Sequence, residues 1–226
     1  MRSSPNQPVP GSVSGENANF PSRERIDASC RVALMFVFTA SVLWLVVSSL
    51  FAIISSIKMH APGMLADQAW LTYGRVRPAA MSMFLYGFAS QAAIAAGIWI
   101  LCRLGKVFLV APGFLIVGSI FWNLGVLLGV GAIFAGQSSG YEGLEFPGYA
   151  AATLFFAYLI MGIVALLTFA YRNQRESFAS QWFILAGLFI FPWLLSTATL
   201  LLLMYPVRGA AQAAITYWYA NGFLLL

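Results

Sequence analysis

Charged side chains are scarce. Twelve Lys and Arg and seven Asp and Glu make up 8% of the 226 residues, where soluble domains carry roughly 25%. So little charge cannot cover a soluble surface, and no soluble core could hide the apolar remainder, 61% of the chain at a mean hydropathy of +0.83. Histidine is rarer still. His60 is the only one, which excludes Ser/His/Asp and Cys/His catalytic sets and any metal or haem site that draws on several imidazoles; it reads as a surface residue. The two cysteines, Cys30 and Cys102, lack C-x-x-C spacing and read as small buried hydrophobes on a reducing, cytoplasmic side. Neither a P-loop nor G-x-G-x-x-G occurs. The apolar runs contain no Asp, Glu, Lys or Arg, the usual marks of an ion or proton path, and no internal repeat is apparent, so a transporter is disfavoured.

What the chain does have is long apolar runs. Five cover 32–57, 81–101, 107–134, 150–171 and 182–205, each about 20 residues or more and so able to cross a hydrocarbon layer of roughly 30 Å. A sixth begins near Ala211 and is still apolar at Leu226. A helix ending in N-G-F-L-L-L leaves its last carbonyls in lipid, so this span is expected to be incomplete and the chain a fragment or an early truncation. The fold class predicted is an all-α integral membrane bundle of about six spans over residues 29–226, preceded by a Pro, Ser, Asn and Gly rich disordered tail over 1–28. The first run is too long for a signal-peptide core and is read as a span that stays. Pro192, inside the fifth run, is tolerated where neighbours satisfy the freed carbonyl.

Basic residues set the expected orientation. The N-terminal side receives Arg2, Arg23, Arg25, Arg31, Arg103, Lys106, Arg172 and Arg175, and the other side Lys58, Arg75, Arg77 and Arg208. Eight against four puts the N-terminus in the cytoplasm of a bacterial inner membrane. The net charge of +5 therefore implies anionic headgroups as partners and not nucleic acid. Small residues at helical spacing, Ala89, Ala93, Ala96 and Gly97 in the second run and Gly118, Gly125 and Gly129 in the third, predict faces that meet other helices closely.

Two clusters could carry chemistry. Arg75 and Arg77 are one residue apart and precede Pro78, read as the first turn of a helix; such a pair suits carboxylates or phosphates, or it flanks a helix and touches headgroups. The loop S-S-G-Y-E-G-L-E-F-P carries Glu142 and Glu145, which could share a divalent cation such as Ca2+ or stand in solvent.

The strings G-R-V-R-P-A-A before the second run, S-S-G-Y-E-G-L-E-F-P, S-Q-W-F opening the fifth and Y-W-Y-A-N-G-F in the sixth resemble, in order and spacing, the N-terminal half of subunit I of haem-copper respiratory oxidases, most of all the cbb3 type. The resemblance covers about Arg31 to Leu226. It implies the front half of a twelve-helix core, haem b and copper as cofactors, other oxidase subunits as partners, and the electron transfer to O2 of a cytochrome c oxidase-like enzyme, with the donor, quinol or cytochrome c, left open. It also implies that Arg75 and Arg77 contact haem propionates and that Glu145, with Glu142, lies at a Ca2+ site. The sequence departs from the family at two ligands: a haem histidine is replaced by Ala80 and a copper histidine by Asn221. Alanine cannot ligate iron and an asparagine amide is a poor copper ligand. The resemblance thus leaves two roles open, an oxidase subunit that does not catalyse by itself and a cofactor-free structural or assembly partner in a respiratory complex.

Overall fold

The computed structural model describes residues 21–174 and 176–224. The predicted tail lies outside the described residues as far as residue 20, and so does Arg175. Six helices follow one another: α1 Arg23–His60, α2 Tyr73–Gly105, α3 Pro112–Ala135, α4 Gly148–Ala170, α5 Ala179–Met204 and α6 Ala210–Leu224. No strand occurs among the described residues. The first five helices are long and apolar enough to cross a membrane, and the protein is a multi-pass helical bundle. One end carries Arg103 and the α5 start; the opposite end carries Glu145 and the α6 start.

Two helices begin before their apolar runs. α1 has 38 residues, about 57 Å at 1.5 Å per residue, because the charged stretch from Arg23 to Arg31 is helical too. Glu24 in its first turn suits the helix dipole. Asp27 is then held one turn along, accepting from Trp99 Nε1 at 3.1 Å and facing Arg103 Nε at 3.4 Å. Residues 23–28, placed in the tail by composition, therefore belong to the first helix. α2 starts at Tyr73, where the Thr72 carbonyl accepts from the N–H groups of Arg75 and Val76, both at 2.9 Å. Pro78 consequently sits inside the helix and not at its first turn; the polar opening turns hide this start from a hydropathy reading.

Within α2, residues Met83–Ala89 form a π turn. Its carbonyls are served by side chains: Trp122 Nε1 donates to Tyr86 O at 2.7 Å, Gln91 Nε2 to Gly87 O at 2.7 Å and Ser90 Oγ to Leu85 O at 2.9 Å. A π turn takes up an extra residue and shifts the phase of everything after it. The packed face of α2 accordingly becomes Gln91, Ile94, Ala95 and Ile98, while Ala93 is exposed and Ala89 and Ala96 are only half-buried. The predicted alanine stripe is not the buried seam; of its members Gly97 approaches α5, where an added Cβ would lie 3.3 Å from Ile184.

Two of the three third-run glycines do what their spacing predicts. A Cβ on Gly118 would lie 2.6 Å from Met161 Cγ and 3.3 Å from the Ala157 carbonyl, and one on Gly125 would lie 3.0 Å from Leu154. α3 and α4 thus approach through missing side chains. Gly129 instead meets the loop, 2.6 Å from Phe146 Cε1 for an added Cβ.

At mid-bundle α1, α2 and α3 are joined by a polar cluster. Trp44 Nε1 donates to Asn123 Oδ1 at 2.6 Å, Asn123 Nδ2 donates to Gln91 Oε1 at 3.0 Å, and Ser119 Oγ donates to the same oxygen at 3.2 Å. Cys30 and Cys102 are free and buried at the Arg103 end, and His60 is exposed.

Candidate functional site

α1, α2 and the loop from Gly136 to Pro147 enclose a groove of about 720 Å³ at the Glu145 end. Ala80 lies in its wall and is 5% exposed; its carbonyl accepts from Ser48 Oγ of α1 at 2.9 Å. Arg77, Glu142 and Glu145 line the same groove, so four of the six residues singled out in the sequence meet there.

The two arginines separate. Because α2 already includes them, positions two apart point about 200° away from each other around the axis. Arg75 Nη1 donates to Phe134 O at 2.9 Å, in the last turn of α3, where a cation suits the helix's negative end. Gly136 stands against it in left-handed backbone at φ 89°, and an added Cβ would come within 2.9 Å of Arg75 Nη2. Arg77 is exposed on the groove side and donates to Tyr73 Oη at 3.2 Å. They do not act as one forked cation.

The two glutamates separate as well. Glu142 is exposed, whereas Glu145 is 6% exposed, accepting from Ser82 Oγ at 3.0 Å and from the Gly143 N–H at 3.1 Å. Gly143, at φ 78°, holds the turn that aims its N–H inward. Its carbonyl accepts from Tyr86 Oη at 2.5 Å, and Tyr86 Oη lies 2.5 Å from Tyr219 Oη of α6. One short loop is thereby tied to both α2 and α6. Burial pushes the Glu145 carboxyl above its ordinary value of 4.5, and the charge of Glu142 adds to this; the N–H and hydroxyl donors work against it.

That shift predicts a pH dependence. The folded chain holds the Glu145 proton more tightly than the unfolded chain, so the destabilisation is absent below pH 4.5 and grows as pH rises through the raised pKa. Glu145→Gln keeps the shape and is expected to flatten the fall in melting temperature between pH 4.5 and neutrality. An unchanged slope in thermal melts would assign the pH dependence to another group.

Asn221 lies apart from Ala80. It lines a second groove of about 690 Å³ along α6 with Gln212, Thr216 and Glu142, and its Nδ2 donates to the Tyr217 carbonyl at 2.8 Å. Glu142 is the residue common to both grooves.

The residues lining the Ala80 groove offer iron no imidazole; their nitrogen and sulfur side chains are Arg77, which stays protonated, and Met81, whose thioether serves haem as the partner of a histidine. Ca2+ takes six to eight oxygens; the carboxylates lining this groove are Glu142, exposed, and Glu145, buried. Among the described residues no three His, Cys, Asp or Glu side chains gather.

No family model matches the chain. Over 205 residues it is 26% identical to a cytochrome c oxidase subunit 1 homolog of Azorhizobium caulinodans, covering 82% of this chain and 36% of that protein. Over 146 residues it is 27% identical to a bacteroid cytochrome c oxidase subunit 1 homolog of Bradyrhizobium diazoefficiens, covering 63% of this chain and 26% of the relative. The chain is related to haem-copper oxidase subunit I. It spans about a quarter to a third of the length of these curated relatives. In this subunit I-like protein, sequence reasoning missed the Trp44–Gln91–Asn123 cluster and the Tyr86–Tyr219 contact. Gln91 and Asn123 were the available signal, since an amide inside an apolar run needs a partner on another helix.

Proposed function

We propose that this subunit I-like protein is a cofactor-free structural or assembly component of a cbb3-type respiratory complex in a bacterial inner membrane, with its N-terminus in the cytoplasm. The observation that carries this reading is the groove at Ala80. It has a methyl group where an imidazole is needed, and the buried polar groups beside it are engaged inside the protein: Glu145 with Ser82 and Gly143, Ser48 with Ala80. What is left is a tied helix pair and loop, suited to packing against neighbouring subunits. The excess of basic residues at the Arg103 end supports the orientation.

A second reading, in which the chain supplies the front helices of an oxidase passing electrons to O2, is favoured by two of the four strings that carry the resemblance meeting at the groove. Haem, when bound, would supply the electron-transfer chemistry. Absorption spectra of the full chain, purified from membranes of a haem-replete host, separate the two. The expected spectrum is flat, oxidised and dithionite-reduced, and Ala80→His is expected to recruit haem and give a Soret band. A reduced b-type band in the parent chain overturns the cofactor-free reading and favours the second.

A further inference from the structure

We infer that the groove between α1 and α2 is a binding site for one glycerophospholipid with a zwitterionic, primary-amine headgroup. Its mouth carries two opposite charges. Arg77 stands on α2 and Glu142 on the loop, both exposed, and among the described residues neither has an ion-pair partner within 4.0 Å. Arg77 has only its Nη1 donating to Tyr73, which leaves guanidinium donors toward the groove, and no hydrogen bond engages the Glu142 carboxylate among the described residues. A phosphate beside Arg77 and an ammonium beside Glu142 satisfy both at once, and a phosphoethanolamine head bears these two groups on one short stem.

Away from the mouth the lining turns apolar. Leu45 and Ala52 of α1 face Met81 and Phe84 of α2, and the serines among them are quenched by backbone: Ser48 Oγ donates to Ala80 O at 2.9 Å and Ser49 Oγ to Leu45 O at 2.8 Å. From Ser55 to Leu45 the groove follows α1 for about 15 Å, the depth of one leaflet. An acyl chain fills such a channel, and a soluble anion does not. Charge pattern, apolar depth and position at one face of the bundle therefore agree on a lipid. This inference is independent of whether the chain binds haem elsewhere.

The test uses the full chain stripped of lipid in detergent, with dioleoyl-phosphatidylethanolamine, -phosphatidylcholine or -phosphatidylglycerol added back and occupancy read by native mass spectrometry. Phosphatidylcholine lacks the N–H donors that Glu142 accepts, and phosphatidylglycerol lacks the cation. Phosphatidylethanolamine is expected to bind about tenfold more tightly than either, a difference one charge-assisted contact can supply. Glu142→Gln should remove that preference, and Arg77→Gln should weaken all three lipids, since each carries the phosphate. Ala52→Trp fills the channel without touching the charges; it should abolish retention of all three lipids while the chain melts at its parental temperature in detergent. Equal occupancy by the three lipids, stronger binding of phosphatidylglycerol, or a preference that survives Glu142→Gln overturns the inference.

Discussion

Gly125→Leu is expected to lower stability by about 3 kcal/mol, the upper part of the usual overpacking range. The added Cβ alone would sit 3.0 Å from Leu154 Cγ and 3.3 Å from the Leu154 backbone nitrogen. The side chain of Leu154 can turn away, but its backbone, in the second turn of α4, cannot, so the two helices must part. The pair closes over Leu154 and Ala157, both fully buried, and separating the helices forfeits that packing along its length. Gly131→Leu supplies the matched control. It lies on the same helix with nothing within 4 Å of an added Cβ and is exposed, so helix propensity and hydrophobicity change alike while packing does not. Thermal melts in one detergent should show a large drop for Gly125→Leu and none for Gly131→Leu; equal melts would refute close α3–α4 packing.

Asn123→Leu is expected to cost about 2 kcal/mol, more than an average polar contact between membrane helices, because several partners lose out together. The Trp44 indole N–H would lose its acceptor at 2.6 Å, and Gln91 Oε1 would lose a donor at 3.0 Å. Gln91 keeps Gly87 O and Ser119, so the half-buried indole is the group left unpaired. Trp44→Phe in the Asn123→Leu background removes that orphaned donor and should recover part of the loss. Strictly additive losses in the two-residue cycle would mean that Trp44 and Asn123 do not stabilise each other.

The spans were legible in the sequence because lipid imposes a length, and length is read directly from apolar runs. The added helix at Arg23–Arg31 and the early start of α2 were not, because a helix outside the hydrocarbon needs no apolar residues to form. The meeting of Ala80 with Arg77, Glu142 and Glu145 in one groove was hinted at by two of the strings that carry the resemblance. Its geometry was less legible. Arg75 and Arg77 look paired in a string of letters and diverge once the helix includes them, while Glu142 and Glu145 look equivalent until Gly143 turns only one of them inward. The same limit explains the alanine stripe in α2: residues counted at 3.6 per turn lose register at the π turn, which no residue type announces.

That π turn has a consequence for comparing this chain with others. An extra residue absorbed between Met83 and Ala89 rotates the remainder of the helix by about a quarter turn, leaving both ends helical and the outward length little changed. A homologue lacking the residue would align with a one-position gap in the middle of an unbroken span. Such a gap records a rotation of one half of a helix against the other, and substitutions on its two sides should be tallied against different neighbours.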